Sequence, residues 1–321
     1  MAMTNSLITF AYYLLGWVLL SIVLSWVSAA LYPLFSRQLN QCSPQRATNY
    51  TFFFSLLPPL AASLSILILA SPELAFPLVA SHCHNESCAP HTVHIEMSTL
   101  LSSSSLALGA AAILVLCISM LWQIRGNHRY ERMLQQLSET DTLGYRWFDS
   151  QRPIARCIGL FKPQVYFSTG LLRVMTEEQQ ELVLAQNLVR AARHENLSYW
   201  LLKWASIAWP NALKHRIRRD FLQHSACACD ISAFKMLADK TNKRDFVKTL
   251  ESIYAKQYNP KQQPWRERLD IFQHAVDTTS QDKLGGIWTA LSMTIKLTAY
   301  TTLLVIAAVY LGHPVLEVFS R

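Results

Sequence analysis

The sequence is poor in charged residues and in glycine. Only 16% of its 321 residues are charged, and nine are glycine. It contains no internal repeat, no glycine-rich phosphate-binding loop and no serine or cysteine triad signature. These absences argue against a repeat protein, a nucleotide-binding enzyme of the common type, and a serine or cysteine hydrolase. The hydrophobic fraction of 51% is also too high for an ordinary soluble enzyme.

Long apolar stretches predict a membrane protein. A helix needs roughly 20 apolar residues to cross a bilayer. Four stretches approach or exceed that length, and the first is too long and has too little basic charge at its start for a signal peptide, so we expect it to be retained. The predicted spans are 7–34, 52–70, 100–124 and 297–312.

The distribution of basic residues predicts the orientation of these spans. All but four of the 29 Lys and Arg residues lie in the segment 125–283, and the loop 81–98 has none. The positive-inside rule therefore places the long segment in the cytosol and both chain ends outside. The predicted division is three spans with external loop 81–98 in residues 1–124, a cytosolic domain in 125–286, and a fourth span with a short external tail in 287–321.

A strand, a turn and a capped helix are predicted in the middle of the chain. Val165 and Phe167 alternate with polar neighbours as in a short strand. Thr176, followed by acids and by Gln179, is typical of a capping box. Apolar residues then recur at helical spacing, so one continuous helix should carry three polar residues. These are Gln186, Asn187 and Arg190.

The run GLFKPQVYFSTGLL, this capped helix, a Trp-Pro-Asn corner and a later Cys-Asp pair resemble the BlaR/MecR-type family of antirepressor membrane metallopeptidases. The resemblance implies a mainly α-helical integral protein of the bacterial inner membrane, with a zincin-like cytosolic domain that carries a small β-sheet. In that family the helix bears HExxH, and a glutamate three residues before the Cys-Asp completes the zinc site. Here the HExxH register reads Gln186-Asn187-Leu188-Val189-Arg190, and the glutamate position is Ala226.

These replacements remove the chemistry that zinc hydrolysis needs. Gln186 offers only a weak amide oxygen, Asn187 cannot act as a general base, and Ala226 has no ligand atom. Arg190 adds a permanent cation, which repels a unit charge 4 Å away by about 4 kcal/mol at an effective dielectric near 20. We therefore expect a pseudo-peptidase without catalytic residues or a cytosolic cofactor, in which Arg190 pairs with an acid such as Glu195.

Other residues could in principle supply a displaced zinc site. His194-Glu195 begins like HExxH, but Ser198 occupies the second histidine position, and Glu195 is better interpreted as a carboxylate that packs against the helix. His215 and His224 are the remaining candidates in this region. Cys227 and Cys229 are expected to be buried apolar residues rather than ligands.

The external loop 81–98 concentrates potential ligands. Two interpretations stay open. Cys83 and Cys88 form a local disulfide in an oxidising compartment, with incidental histidines, or the thiols and imidazoles bind copper or zinc. The candidate residues are His82, Cys83, His84, Cys88, His91 and His94.

Three functions fit this sequence. The first is a non-catalytic sensor or signalling protein that responds to external metal ions and acts by binding a cytosolic partner, of which a repressor is one candidate. The second is an assembly or accessory subunit of a membrane complex. The third is an active metallopeptidase with unorthodox ligands. The large external domain of antibiotic-responsive receptors is missing, and the bilayer explains the basic charge without a nucleic-acid partner.

For two helical stretches the sequence does not distinguish packing within the protein from contact with the membrane. The helix 197–209, rich in tryptophan, fits either a buried core helix or a helix leaning into the membrane interface. The stripe formed by Leu269, Phe272 and Val276, with Arg266 and Arg268 beside it, fits a helix packed on the domain or lying on the membrane.

Overall fold

A computed structural model describes the backbone of residues 2–71, 74, 82–84, 87–89, 100–257, 264–281 and 283–320. The helices are α1 (Ala2–Leu39), α2 (Pro44–Ala70), α3 (Leu100–Gln136), α4 (Thr169–Val174), α5 (Glu177–Ala192), α6 (Glu195–Ala205), α7 (Asn211–Met236), α8 (Lys243–Gln257), α9 (Pro264–Gln281) and α10 (Lys283–Ser320). The strands are β1 (His82–His84), β2 (Ser87–Ala89), β3 (Glu139–Thr140), β4 (Arg146–Phe148), β5 (Ala155–Ile158) and β6 (Gln164–Ser168).

Four helices are long and apolar enough to cross a membrane, as the sequence predicts. The candidate spans cover Phe10–Leu39, Pro44–Ala70, Ala107–Gln136 and Ile287–His313. The polar sequence of residues 278–286 also predicts a loop before the last span. That prediction is wrong, since α9 continues to Gln281 and α10 begins at Lys283. No proline interrupts the sequence there, so the helical backbone extends well before the apolar run begins.

The candidate spans differ in how much protein covers them. Helices α1, α2 and α10 pack together, whereas α3 contacts α1 near Gly109. A side chain at Gly109 would place its Cβ 2.7 Å from Leu15 Cδ1, so glycine allows the two helices to approach. Within its most apolar window α3 is only 6% buried, against 44% for α2. Most of α3 therefore presents its surface outward from the bundle.

The corner between α6 and α7 belongs to the same core as the spans. Trp209 and Ile217 are buried against Leu24 of α1 and Phe54 of α2. Trp26 Nε1 donates a hydrogen bond to the carbonyl oxygen of Ala208 at 2.9 Å. The C-terminal end of the tryptophan-rich stretch and the start of α7 therefore pack against the candidate spans.

A second core lies between a small sheet and the remaining helices. The sheet order is β3-β4-β6-β5, with β4 and β6 parallel and the other pairs antiparallel. Thr176 forms the expected capping box with Gln179, and α5 then runs unbroken past Arg190. The buried members of this core include Val165, Phe167, Leu182, Cys227, Phe246, Leu250, Leu269 and Phe272.

One glycine of the run GLFKPQVYFSTGLL is required by close packing. Gly170 donates its backbone N–H to Ser150 O at 2.8 Å. A Cβ at this position would lie 2.2 Å from the carbonyl oxygen of Gln151. The loop before β5 therefore rests directly on the first turn of α4, which fixes the end of β6 and the helix that follows it.

Candidate functional site

Helices α5 and α7 bring the degenerate HExxH register beside the Cys-Asp pair. Gln186 Nε2 donates a hydrogen bond to Asp230 Oδ1 at 2.6 Å. Both side chains lie in the interior, and Asp230 is 0% exposed. The carboxylate of Asp230, one helical turn after Ala226, therefore binds the side-chain amide of Gln186.

Arg268 of α9 supplies the opposite charge. Its Nε lies 2.6 Å from Asp230 Oδ2, and its Nη2 lies 2.6 Å from Oδ1. The same Nη2 donates to the carbonyl oxygen of Ala226 at 3.2 Å. This is a bidentate ion pair between side chains that are only 12% and 0% exposed. A carboxylate this deeply buried requires such a partner, because an unpaired buried charge is strongly destabilising.

Asn187, which the resemblance would align with the catalytic glutamate, bonds to its own helix. Its Nδ2 donates to the carbonyl oxygen of Val183 at 2.8 Å. Its Oδ1 is buried and has no hydrogen-bond partner among the described residues. The side chain of Asn187 therefore has a bonded Nδ2 and an unbonded Oδ1. A buried acceptor without a partner lowers the stability of the fold by about 1–3 kcal/mol.

Arg190 pairs with an acid, as predicted. Its Nε lies 3.9 Å from Glu195 Oε2. Arg193 approaches the same carboxylate more closely, with 3.2 Å between Nε and Oε1. Cys229 Sγ donates to Glu195 Oε1 at 3.1 Å. Glu195 therefore packs against the α5–α7 pair as the centre of a cluster of two arginines and one thiol.

The histidines proposed for a displaced zinc site are not arranged for it. His194 adopts the left-handed backbone conformation with φ of 48° and separates α5 from α6. An HExxH register starting there would not lie on one helix. His215 is exposed on α7, and burial lowers the pKa of His224 against the opposing effects of Asp220 and Glu267. Among the described residues no group of three His, Cys, Asp or Glu side chains could hold a metal ion.

Cys227 and Cys229 are both fully buried, which confirms their expected role as core residues. Burial raises the pKa of Cys227 to about 12. Burial, followed by the nearby Glu195 carboxylate, also raises the pKa of Cys229. These thiols stay protonated near neutral pH and are poor nucleophiles and poor metal ligands.

In the external-loop candidate, the described backbone forms a two-stranded hairpin. The antiparallel register pairs Cys83 with Cys88, His82 with Ala89, and His84 with Ser87. His91 and His94 lie outside the described residues.

A second polar cluster joins the spans to α7. Tyr32 Oη donates to Asp220 Oδ2 at 3.0 Å, and Arg216 Nη2 donates to Ser36 Oγ at 3.0 Å. Arg219 also lies near Asp220, with 3.7 Å between Nε and Oδ1. The start of α7 is thus bonded to α1 by directional contacts, while its end carries Asp230.

Two residues of the central network are missing from the sequence predictions. Asp230 is recognised there only as part of a Cys-Asp motif, and Arg268 only as a cation beside an apolar stripe. The sequence around each of these two residues nevertheless contains a feature from which the ion pair could have been suspected. An acid within the apolar run ACACDISAF implies a cationic partner, and an arginine adjacent to Leu269 places a cation next to the core. Their pairing across 38 residues is visible only in the fold.

Comparison with known proteins identifies no relative of this chain. No family model matches the chain, and neither a curated protein nor a solved structure matches it.

Proposed function

We propose that the chain is a non-catalytic membrane signalling protein derived from a BlaR/MecR-type peptidase scaffold, which acts on a cytosolic protein partner by binding. The observation that carries this proposal is the buried network of Gln186, Asp230 and Arg268. Gln186, which the resemblance aligns with the first histidine of HExxH, donates a hydrogen bond to Asp230. The charge of that carboxylate is already neutralised by Arg268. The resulting contacts hold three helices together and leave no general base at Asn187.

The coupling between the spans and α7 supports a signalling role. A signal that moves α1 relative to α7 has to break or shift the bonds of Tyr32 and Ser36. The other end of the same helix carries Asp230, which is bonded to α5 and α9. One continuous helix, α7, therefore connects the membrane bundle to the network, and a rigid helix is a physical route for such coupling.

We propose that the hairpin formed by β1 and β2 is the part of the chain that responds to external conditions. Its register supports a Cys83–Cys88 disulfide, since directly opposed residues in an antiparallel pair have Cα atoms about 4.5–5.5 Å apart, which fits the roughly 4.4–6.8 Å range of disulfides. Binding of copper or zinc by these thiols and the neighbouring histidines is the alternative input. Both inputs predict that the loop, and not the Gln186 network, responds to external conditions.

The deciding experiment measures zinc and proteolysis in the purified full-length chain. A loop variant replaces all six candidate loop ligands, so that any remaining zinc belongs to the rest of the protein. Its substitutions are His82→Ala, Cys83→Ser, His84→Ala, Cys88→Ser, His91→Ala and His94→Ala. We expect no stoichiometric zinc and no chelator-sensitive cleavage of casein. The matched positive control carries Gln186→His, Asn187→Glu, Arg190→His and Ala226→Glu on the same background. One zinc per chain together with chelator-sensitive cleavage in the loop variant would overturn the proposal.

A second candidate, an assembly subunit of a membrane complex, is favoured by α3. This span is only 6% buried within its most apolar window. Such a surface suits either lipid or a neighbouring membrane protein. An assembly role predicts co-purification at fixed stoichiometry that is indifferent to the loop substitutions, whereas a sensor predicts a transcriptional response to external copper or zinc that those substitutions abolish.

A further inference from the structure

A cavity of about 200 Å³ lies between the start of α2 and the α6–α7 pair. It is much larger than the roughly 30 Å³ that one water molecule occupies in the liquid. Its lining is mixed, with polar side chains from both sides and two aromatic rings. The lining residues are Gln45, Thr48, Asn49, Phe52, Arg193, Glu195, Ser198 and Phe221.

Arg193 is the cationic group of this cavity. Its side chain is 16% exposed, and its Nη1 is buried without a hydrogen-bond partner in the described part of the chain. Its Nε lies 3.2 Å from Glu195 Oε1, although that N–H is not aligned for a hydrogen bond. A guanidinium presents five N–H donors, and leaving them unpaired in a buried place is costly. These donors match an oxyanion that can accept two hydrogen bonds at once.

The local charge balance favours an anion. Glu195 is the carboxylate of the cavity, and it is shared by Arg190 at 3.9 Å and by Arg193. Two guanidinium groups therefore face one carboxylate, which leaves one positive charge in excess. Ser198 of α6 and Asn49 of α2 add neutral hydrogen-bonding groups from opposite walls.

The cavity lies level with the ends of the candidate spans. Span α1 ends at Leu39, and the cavity is lined by the first turns of α2, which begins at Pro44. Phosphate groups of lipids occupy the zone just beyond the hydrocarbon core of a bilayer. Phe52 and Phe221 give the cavity an apolar side, which suits the first carbons of a lipid acyl chain.

We propose that this cavity binds a phosphate-type oxyanion through Arg193, with the headgroup of a membrane phospholipid as one source and free phosphate as the other. This site is independent of the proposed signalling function. Occupation would link α2 to α6 and α7 at the level of the membrane surface, so bound lipid would stabilise the packing of the spans against the rest of the chain.

The test uses the delipidated full-length chain in detergent and measures the thermal midpoint and binding by titration. The probes are short-chain phosphatidylglycerol, the matching diacylglycerol without phosphate, and inorganic phosphate. We expect phosphatidylglycerol to raise the midpoint and diacylglycerol to leave it unchanged. Arg193→Gln should weaken phospholipid binding about tenfold or more, because a charged hydrogen bond is lost.

Two further variants keep the test decisive. Ser198→Leu fills the cavity without touching the guanidinium and should also weaken binding, even if Arg193→Gln fails to fold. Arg173→Gln changes an exposed arginine on α4 and should bind as the wild type does. Arg193-dependent binding of inorganic phosphate without phospholipid binding would assign a soluble source. Equal binding of diacylglycerol, or unchanged binding in Ser198→Leu and every folded Arg193 variant, would overturn the proposal.

Discussion

The guanidinium of Arg268 binds both carboxylate oxygens of Asp230 at 2.6 Å, and the two residues come from helices α9 and α7. Each charge is buried, so neither has bulk water to replace its partner. Gln186 adds a third helix to the same carboxylate at 2.6 Å. The carboxylate of Asp230 therefore connects α5, α7 and α9.

Arg268→Met should cost about 3–5 kcal/mol of stability, because it leaves the buried Asp230 carboxylate unpaired. Adding Asp230→Asn should recover much of that loss, since no uncompensated charge remains. Denaturant unfolding of the purified chain measures both effects. Arg266→Met, an exposed position on the same helix, serves as the control and should change stability by about 0.5 kcal/mol or less. A small effect of Arg268→Met would show that the pair contributes little.

Gly170→Ala should destabilise the protein, because its Cβ would meet the backbone oxygen of Gln151 at 2.2 Å. Relief requires movement of the loop before β5, so we expect a loss of about 1–3 kcal/mol. Gly126 in α3 is the matched control, since nothing lies within 4 Å of a Cβ there. Gly126→Ala should be neutral or stabilising by up to about 1 kcal/mol. Equal thermal midpoints for the two variants would contradict the close approach at Gly170.

The sequence predicts local features of this fold better than it predicts its distant contacts. Hydropathy identifies four spans because bilayer length and apolar composition are local properties, and Thr176 with Gln179 marks the start of α5 for the same reason. The loop prediction at 278–286 fails because polar residues without proline remain compatible with a helix. Arg268 is missed because its role depends on a carboxylate 38 residues away, and no local pattern encodes that distance.

The Tyr32–Asp220 hydrogen bond should couple the membrane bundle to α7. Tyr32→Phe removes a bond of 3.0 Å to a charged acceptor and should cost about 1.5–3 kcal/mol. In a double-mutant cycle with Asp220→Ala, which removes the acceptor, we expect the two losses not to add fully, because both changes remove the same bond. If the protein signals as proposed, Tyr32→Phe should also weaken the response to the external input.

The control for that experiment is Tyr300→Phe. Tyr300 Oη and Ser28 Oγ form a 2.7 Å hydrogen bond that lies entirely between two spans. Its loss should reduce stability without uncoupling α7 from α1. A response that is reduced equally by both tyrosine variants would argue against transmission through Asp220.

Acidification should destabilise the protein partly through His224. Burial lowers the pKa of His224 below its ordinary value near 6.5, so the unfolded chain binds this proton more readily than the folded chain. The stability due to neutral His224 is present above about pH 6.5 and is lost as pH falls toward the lowered pKa, by at most about 1.4 kcal/mol per pH unit. His224→Gln should flatten this part of the stability–pH curve, and an unchanged curve would contradict this role of His224.

The hairpin register predicts that Cys83 and Cys88 are joined in protein isolated from an oxidising compartment. Oxidation by an external disulfide would form the Cys83–Cys88 bond and reduce that disulfide to two thiols, so electrons and protons balance. Peptide mapping without reductant should yield one cross-linked peptide, and Cys83→Ser should free Cys88 for alkylation. Alkylation of both cysteines in the wild type, blocked by added copper or zinc, would instead establish the metal site.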